Sequence, residues 1–267
     1  MAGTRRTSKT RKRPQGSQSG QASRLINVNI EQPAAPELRS AYAILEEGLS
    51  SVNSLATLYS LVTKVRGRGA PKHEEQDLLR AMLVMAGAAL DATLKRLLSD
   101  AFSAIAVRND SARRKAAEHL YRQVLKRIEN NGERFALALL DDNLRSSLVK
   151  LVVDDLTGQS LQSIEQIQKV VAYLGLESSV LSEDELEKTR KALKARNQIV
   201  HEMDAVLQEK VERGGRKRYQ RKKREMHGHA QILVSIVQLE NHALGTVFAE
   251  AFFVLAVDDG KLDEMPE

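Results

Sequence analysis

Apolar positions recur in steps of three and four along most of this chain, and the stretches where they do so read as helices. The first covers 37–65, where Leu38, Tyr42, Leu45, Leu49, Val52, Tyr59 and Val62 share a face before Gly67, Gly69 and Pro71 break the pattern. A second covers 73–102. Its centre, 82–90, is apolar nearly all round, which predicts a central core helix. Asp91 follows at once, and a lone acid in such a setting needs a partner unless it lies on the helix surface. Shorter helices are predicted at 112–128, which is highly charged and reads as solvated, and at 144–156 and 161–174. The 110–178 part shows no evident chemistry and reads as an insertion or lid. A last helix is predicted at 232–257, and the alternating 25–30 stretch reads as a short strand.

The stretch 186–211 organises the rest and reads as one long helix. Ser182 and Glu185 have the Ser-x-x-Glu spacing of a capping box ahead of it. Leu186, Leu193, Val200 and Leu207 recur every seven residues as a narrow apolar seam. Beside them Asn197, His201, Asp204 and Gln208 form a polar stripe, the arrangement by which a helix carries a site into a cleft.

Composition agrees with helices: aromatics make up 4% of the 267 residues, and Ala, Leu, Glu, Lys and Arg dominate. There is no Cys, which removes disulfides and thiolate metal sites and suggests a reducing, cytoplasmic setting. No apolar run reaches the ~18 residues of a membrane span, and the basic N-terminus lacks the apolar core of a signal peptide.

The net charge of +6 is unevenly spread. Residues 1–24 hold seven Lys/Arg and no acid, in a polar stretch expected to be disordered, either a solubilising tail or an arm that touches nucleic acid. Residues 213–224 hold eight more: Arg213, Arg216, Lys217, Arg218, Arg221, Lys222, Lys223 and Arg224. The remainder has 26 basic residues against 35 acidic ones, so the body is acidic and the positive charge sits in two segments. Such segregation suggests a polyanion partner, with the second segment as a phosphate-binding loop. Tyr219 is the only aromatic residue in that run, so base stacking is not indicated.

Arg-x4-His occurs four times, at Arg68/His73, Arg114/His119, Arg196/His201 and Arg224/His229, where about half a match is expected by chance. The first spans a turn, the second sits on the charged helix, and the fourth crosses Gly228 at the edge of the basic run. Only Arg196-Asn197-Gln198-Ile199-Val200-His201 has a polar residue after the Arg, two aliphatic residues before the His, and a long apolar-seamed helix around it.

That hexapeptide resembles the HEPN superfamily of helical domains, and within it the RiboL-PSP-like branch. The apolar helix ending in Ala89-Leu90-Asp91-Ala92-Thr93-Leu94 is similar too, since the family often has an acid there. The likeness covers about 73–105 and 183–257. Some HEPN toxins carry a Tyr two residues after the His, modified by a partner nucleotidyltransferase; here that position is Met203, so that control is not implied. The resemblance implies an all-α bundle of long antiparallel helices with additional inserted helices. It implies a ribonuclease, a toxin or antiviral defence effector, that works as a homodimer with facing motifs, and an antitoxin or regulatory protein as a further partner.

The chemistry stands beside the family. RNA carries its own nucleophile, the 2′-OH next to each phosphate, so neither metal nor other cofactor is required. An imidazole can take that proton or protonate the leaving 5′-oxygen, and a guanidinium can grip the phosphate in a fork. The expected catalytic residues are therefore Arg196, His201 and Asn197, with Asp91 and Asp204 in support and the basic run as RNA contacts. Five helical steps separate Arg196 and His201 by about 140°, so the long Arg wraps round, the helix bends locally, or the site is composed from two chains, and the facing motifs that the resemblance implies favour the last. A non-catalytic RNA- or protein-binding module and a nucleotide-binding regulatory domain are the competing readings. The expected layout is a basic tail at 1–33, one helical domain at 34–258 with a basic loop at 213–229, and an acidic tail at 259–267.

Overall fold

Pro36 opens a single 3-10 turn, Pro36–Leu38, its fixed φ suiting a helix start. Helix α1 (Arg39–Arg66) grows from it and buries Ala41, Leu45, Gly48, Val52, Ala56 and Tyr59, the face set by the three- and four-residue steps. Gly67 ends the helix with φ at 74°, a backbone region that suits glycine. The computed structural model describes residues 26, 32–69, 71–130, 132–204 and 220–260. Of the predicted strand at 25–30 only Ile26 is among them. It is not in a strand: its N–H donates to Asn53 Oδ1 at 2.8 Å, and its carbonyl accepts from Asn53 Nδ2 at 3.2 Å.

Helix α2 (His73–Arg108) runs back antiparallel to α1. Arg66 donates to Glu75 at 2.6 Å near the turn, and further along Gly48 lies on Ala89. A Cβ at Gly48 would come within 2.4 Å of the Ala89 Cβ, so this crossing is built for glycine. The chain continues through α3 (Asp110–Asn130), α4 (Glu133–Leu139), α5 (Leu144–Thr157), α6 (Ile164–Tyr173), α7 (Glu183–Glu202) and α8 (Lys223–Gly260), with a second 3-10 turn at Ser178–Val180. Among the described residues every regular element is a helix, which is the all-α class. No described helix is long and apolar enough to cross a membrane.

The apolar centre of α2 makes it the axis of the fold: α1, α3, α5, α6, α7 and α8 all contact it. Leu83, Leu90, Leu94, Leu97 and Phe102 are fully buried along it. The 110–178 segment shares that core through Val152, Leu156, Leu161, Ile167 and Val170, and the Tyr173 ring meets Phe102 edge-on at 6.0 Å. Local signals start its helices, with Asn143 capping α5 and Ser163 capping α6. α7 and α8 pack on each other and on α2, so the candidate motif sits on the core.

Candidate functional site

The start of α7 follows from its sequence. The Ser182 hydroxyl accepts from the Glu185 N–H, and the Glu185 carboxylate accepts from the Ser182 N–H at 2.9 Å, closing the capping box. Glu183, Asp184 and Glu185 place negative charge at the positive end of the helix dipole. The buried face then runs through Leu186, Thr189, Ala192, Leu193, Ala195 and Ile199. Val200, expected in the seam, is exposed instead. A strict seven-residue repeat drifts by about 20° per heptad on a straight helix, and by this turn Ile199 faces the core.

The helix ends at Glu202 rather than running to 211, and no Gly or Pro marks the stop. Met203 and Asp204 both adopt left-handed backbone, with φ of 51° and 54°, which is uncommon for side-chain-bearing residues. Asp204 supplies the reason. Its carboxylate is buried and accepts from Arg80 Nε at 2.9 Å, from Arg221 Nε at 3.1 Å and from Arg221 Nη2 at 2.5 Å. Arg221 also donates to Gln198 at 3.1 Å, and its backbone N–H donates to Gln76 at 2.7 Å. Burial alone would push the Asp204 carboxyl up, but the bonds from Arg221 and Arg80 outweigh it and hold the pKa below the ordinary aspartate value. Asp204, expected in the polar stripe, is therefore an internal tie between α2, α7 and the approach to α8. Gln208 and Leu207 lie outside the described residues.

Arg196, Asn197 and His201 leave α7 in two directions. Arg196 crosses onto α2, where a Cβ added at Gly87 would stand 3.4 Å from its Cγ and Nε. Its Nε is buried without a hydrogen-bond partner among the described residues, while Nη1 donates to Asn197 Oδ1 at 3.1 Å. Burial draws the Arg196 pKa down from the ordinary arginine value, and the charge of Asp91 opposes that. Asp91 has partners of its own: it accepts from the Leu161 N–H at 2.6 Å and pairs with Lys95 at 2.9 Å, which ties α2 to the segment leading into α6.

His201 is exposed and opens, with Asn197, on a groove of about 410 Å³ between α7 and the start of α6. Ser163, Glu165, Arg190 and Lys194 form part of its wall. Arg196 does not line this groove. Asn197 stands between the other two, bonded to Arg196 and sharing a groove with His201. Among the described residues no three His, Asp or Glu side chains cluster as metal ligands.

The RiboL-PSP-HEPN family model matches residues 46–217, well over half of the chain. This chain belongs to the RiboL-PSP-HEPN family. The match spans α2 through α7 and includes the 110–178 helices. No curated protein and no solved structure matches the chain.

Elsewhere in this HEPN chain the other Arg-x4-His histidines take different places. His73 is the first residue of α2. His119, expected on a solvated helix, is buried, with Nδ1 2.9 Å from the Tyr173 hydroxyl and Nε2 3.3 Å from the Asp155 carboxylate. The sequence did carry a signal for it: Ala112, Ala116 and His119 form an i, i+4, i+7 row, and all three are buried. His229, expected at a loop edge, lies inside α8 and pairs with Glu225 at 3.6 Å.

The basic run divides as well. Arg213, Arg216, Lys217 and Arg218 lie outside the described residues. Arg221, expected on RNA, is turned inward because Asp204 captures it. Lys223 leans toward α1, donating to Ser60 at 3.1 Å with its ammonium 5.6 Å from the Tyr59 ring centre. Lys222 and Arg224 remain exposed.

Proposed function

We propose that this HEPN protein is a metal-independent endoribonuclease, a toxin or antiviral defence effector acting in the cytoplasm as a homodimer. The observation that carries the reading is the exposed His201 beside Asn197 in an open groove, with Arg196 bonded to that same Asn197. His201 takes the proton of a 2′-OH, or donates one to the leaving 5′-oxygen, work for which imidazole is suited near neutral pH. The 2′-oxygen attacks the adjacent phosphorus, the bond to the 5′-oxygen breaks, and the products are a 2′,3′-cyclic phosphate and a 5′-OH. Arg196 grips the phosphate and stabilises its growing charge. Among the described residues its Nε has no hydrogen-bond partner, so that donor is unspent. Because Arg196 and His201 diverge on α7, a second copy facing the first supplies the missing half of each site. Purified protein should cut RNA in the presence of EDTA and leave these ends. An absolute need for a divalent ion, with 5′-phosphate products, would contradict the mechanism.

The divergence itself favours a second reading, a non-catalytic HEPN module that binds RNA or nucleotides. It predicts binding without cleavage in the same experiment.

A further inference from the structure

Lys188 and Lys191 of α7 face Lys222, just ahead of α8, and Arg224 of α8 across a second groove, of about 460 Å³, with Gly228 and Ile232 also in its lining. All four cations are exposed. Among the described lining residues Glu225 is the one acid, and it is paired with His229 at 3.6 Å. Lys188 and Lys191 pair along their own helix with Asp184 and Glu187, exposed i,i+4 contacts that are weak and open to exchange for a phosphate. We propose that this groove is a phosphate-binding track that holds single-stranded RNA and leads it to His201. The proposal rests on the reading of α7 as the RNA-cleaving helix.

Helix geometry provides the connection. Lys188, Lys191, Lys194 and Asn197 stand three residues apart, and each step rises about 4.5 Å and turns back about 60° around α7. Lys188 and Lys191 line the α7–α8 groove, whereas Lys194 and Asn197 line the His201 groove. The row is therefore one ridge that winds from the first groove into the second. A strand laid along it meets a cation at each step and arrives with a phosphate beside Asn197 and His201. No Phe or Tyr is among the described lining residues, so the track holds the backbone and leaves base identity unread. The ridge favours RNA over an acidic protein segment, since its far end is the proposed cleavage site.

The test uses full-length protein and a 2′-O-methyl oligoribonucleotide, which keeps the phosphates but lacks the nucleophile. Binding is measured against salt for the wild type and for the combined variant Lys188→Gln, Lys191→Gln, Lys222→Gln and Arg224→Gln. A single strand contributes a slope of about −0.7 in log affinity per phosphate neutralised, so four lost cations should flatten the slope by about 3. Affinity at low salt should fall at least ~10-fold. The charge-keeping variant Lys188→Arg, Lys191→Arg, Lys222→Arg and Arg224→Lys should retain both. Unchanged affinity and slope in the Gln variant would overturn the track and leave the groove to a protein partner. Wild-type protein that cuts RNA yet shows no salt-dependent binding would overturn it too. Binding with the expected slope by a protein that cuts no RNA would uphold the track and defeat only the ribonuclease reading.

Discussion

Asp204 and Arg221 face each other in the interior, two hydrogen bonds at 2.5 and 3.1 Å joining the end of α7 to the approach to α8. Arg80 of α2 shares the same carboxylate at 2.9 Å. Removing the acid takes a carboxylate from two buried guanidinium groups at once, although Arg80 keeps Asp77 at 2.8 Å. Asp204→Ala should therefore cost about 3–5 kcal/mol of stability, read by urea unfolding. The pKa of Asp204 is depressed in the folded state, so its contribution is present above the ordinary aspartate value of 3.8 and is lost as pH falls below that value. A loss below about 1 kcal/mol would mean that the tie does not hold α7 and α8 together.

The same ion pair explains why the end of α7 was hidden in the sequence. Capping boxes, the α1 face and the apolar centre of α2 are local patterns, and they could be read directly from spacing. The stop after Glu202 comes from Asp204 reaching Arg80, 124 residues away, and no local residue type announces it. Arg221 was equally hidden, because a basic run reads as solvated unless its buried acid is known. The candidate hexapeptide was legible as a motif, but the direction of Arg196 depends on Gly87 leaving room on a different helix.

His119 offers a pH test. Burial lowers its pKa below the ordinary 6.5, and the neighbouring Asp155 only partly opposes this. On acidification the unfolded chain takes up this proton first, so the stability it contributes is present above 6.5 and lost as pH falls through the lowered folded value. The melting temperature of the wild type should drop more than that of His119→Gln between about pH 7.5 and about pH 5. Comparing the two separates His119 from His229, whose burial shifts it in the same direction. Parallel curves would remove His119 from the acid response.

A site composed from two chains predicts complementation. Arg196→Ala and His201→Ala proteins should each be inactive, and mixing them after dissociation should restore cleavage. Half of the reassembled dimers are mixed, and one of the two sites in each keeps both groups, so about a quarter of wild-type activity is expected. No recovery, with mixed dimers demonstrated, would place both groups in a site within one chain.

The most direct measurement is the RNA cleavage rate of His201→Ala in chelator beside the wild type, with His73→Ala as the matched control. His201 is exposed on α7, and surface changes away from special features shift stability by under about 0.5 kcal/mol, so helicity and melting should be nearly unchanged. Loss of the group that moves the proton should nonetheless lower the rate a hundredfold or more, equivalent to about 3 kcal/mol, while His73→Ala cuts as the wild type does. Cleavage by His201→Ala at the wild-type rate would contradict the assignment of this helix as the catalytic one.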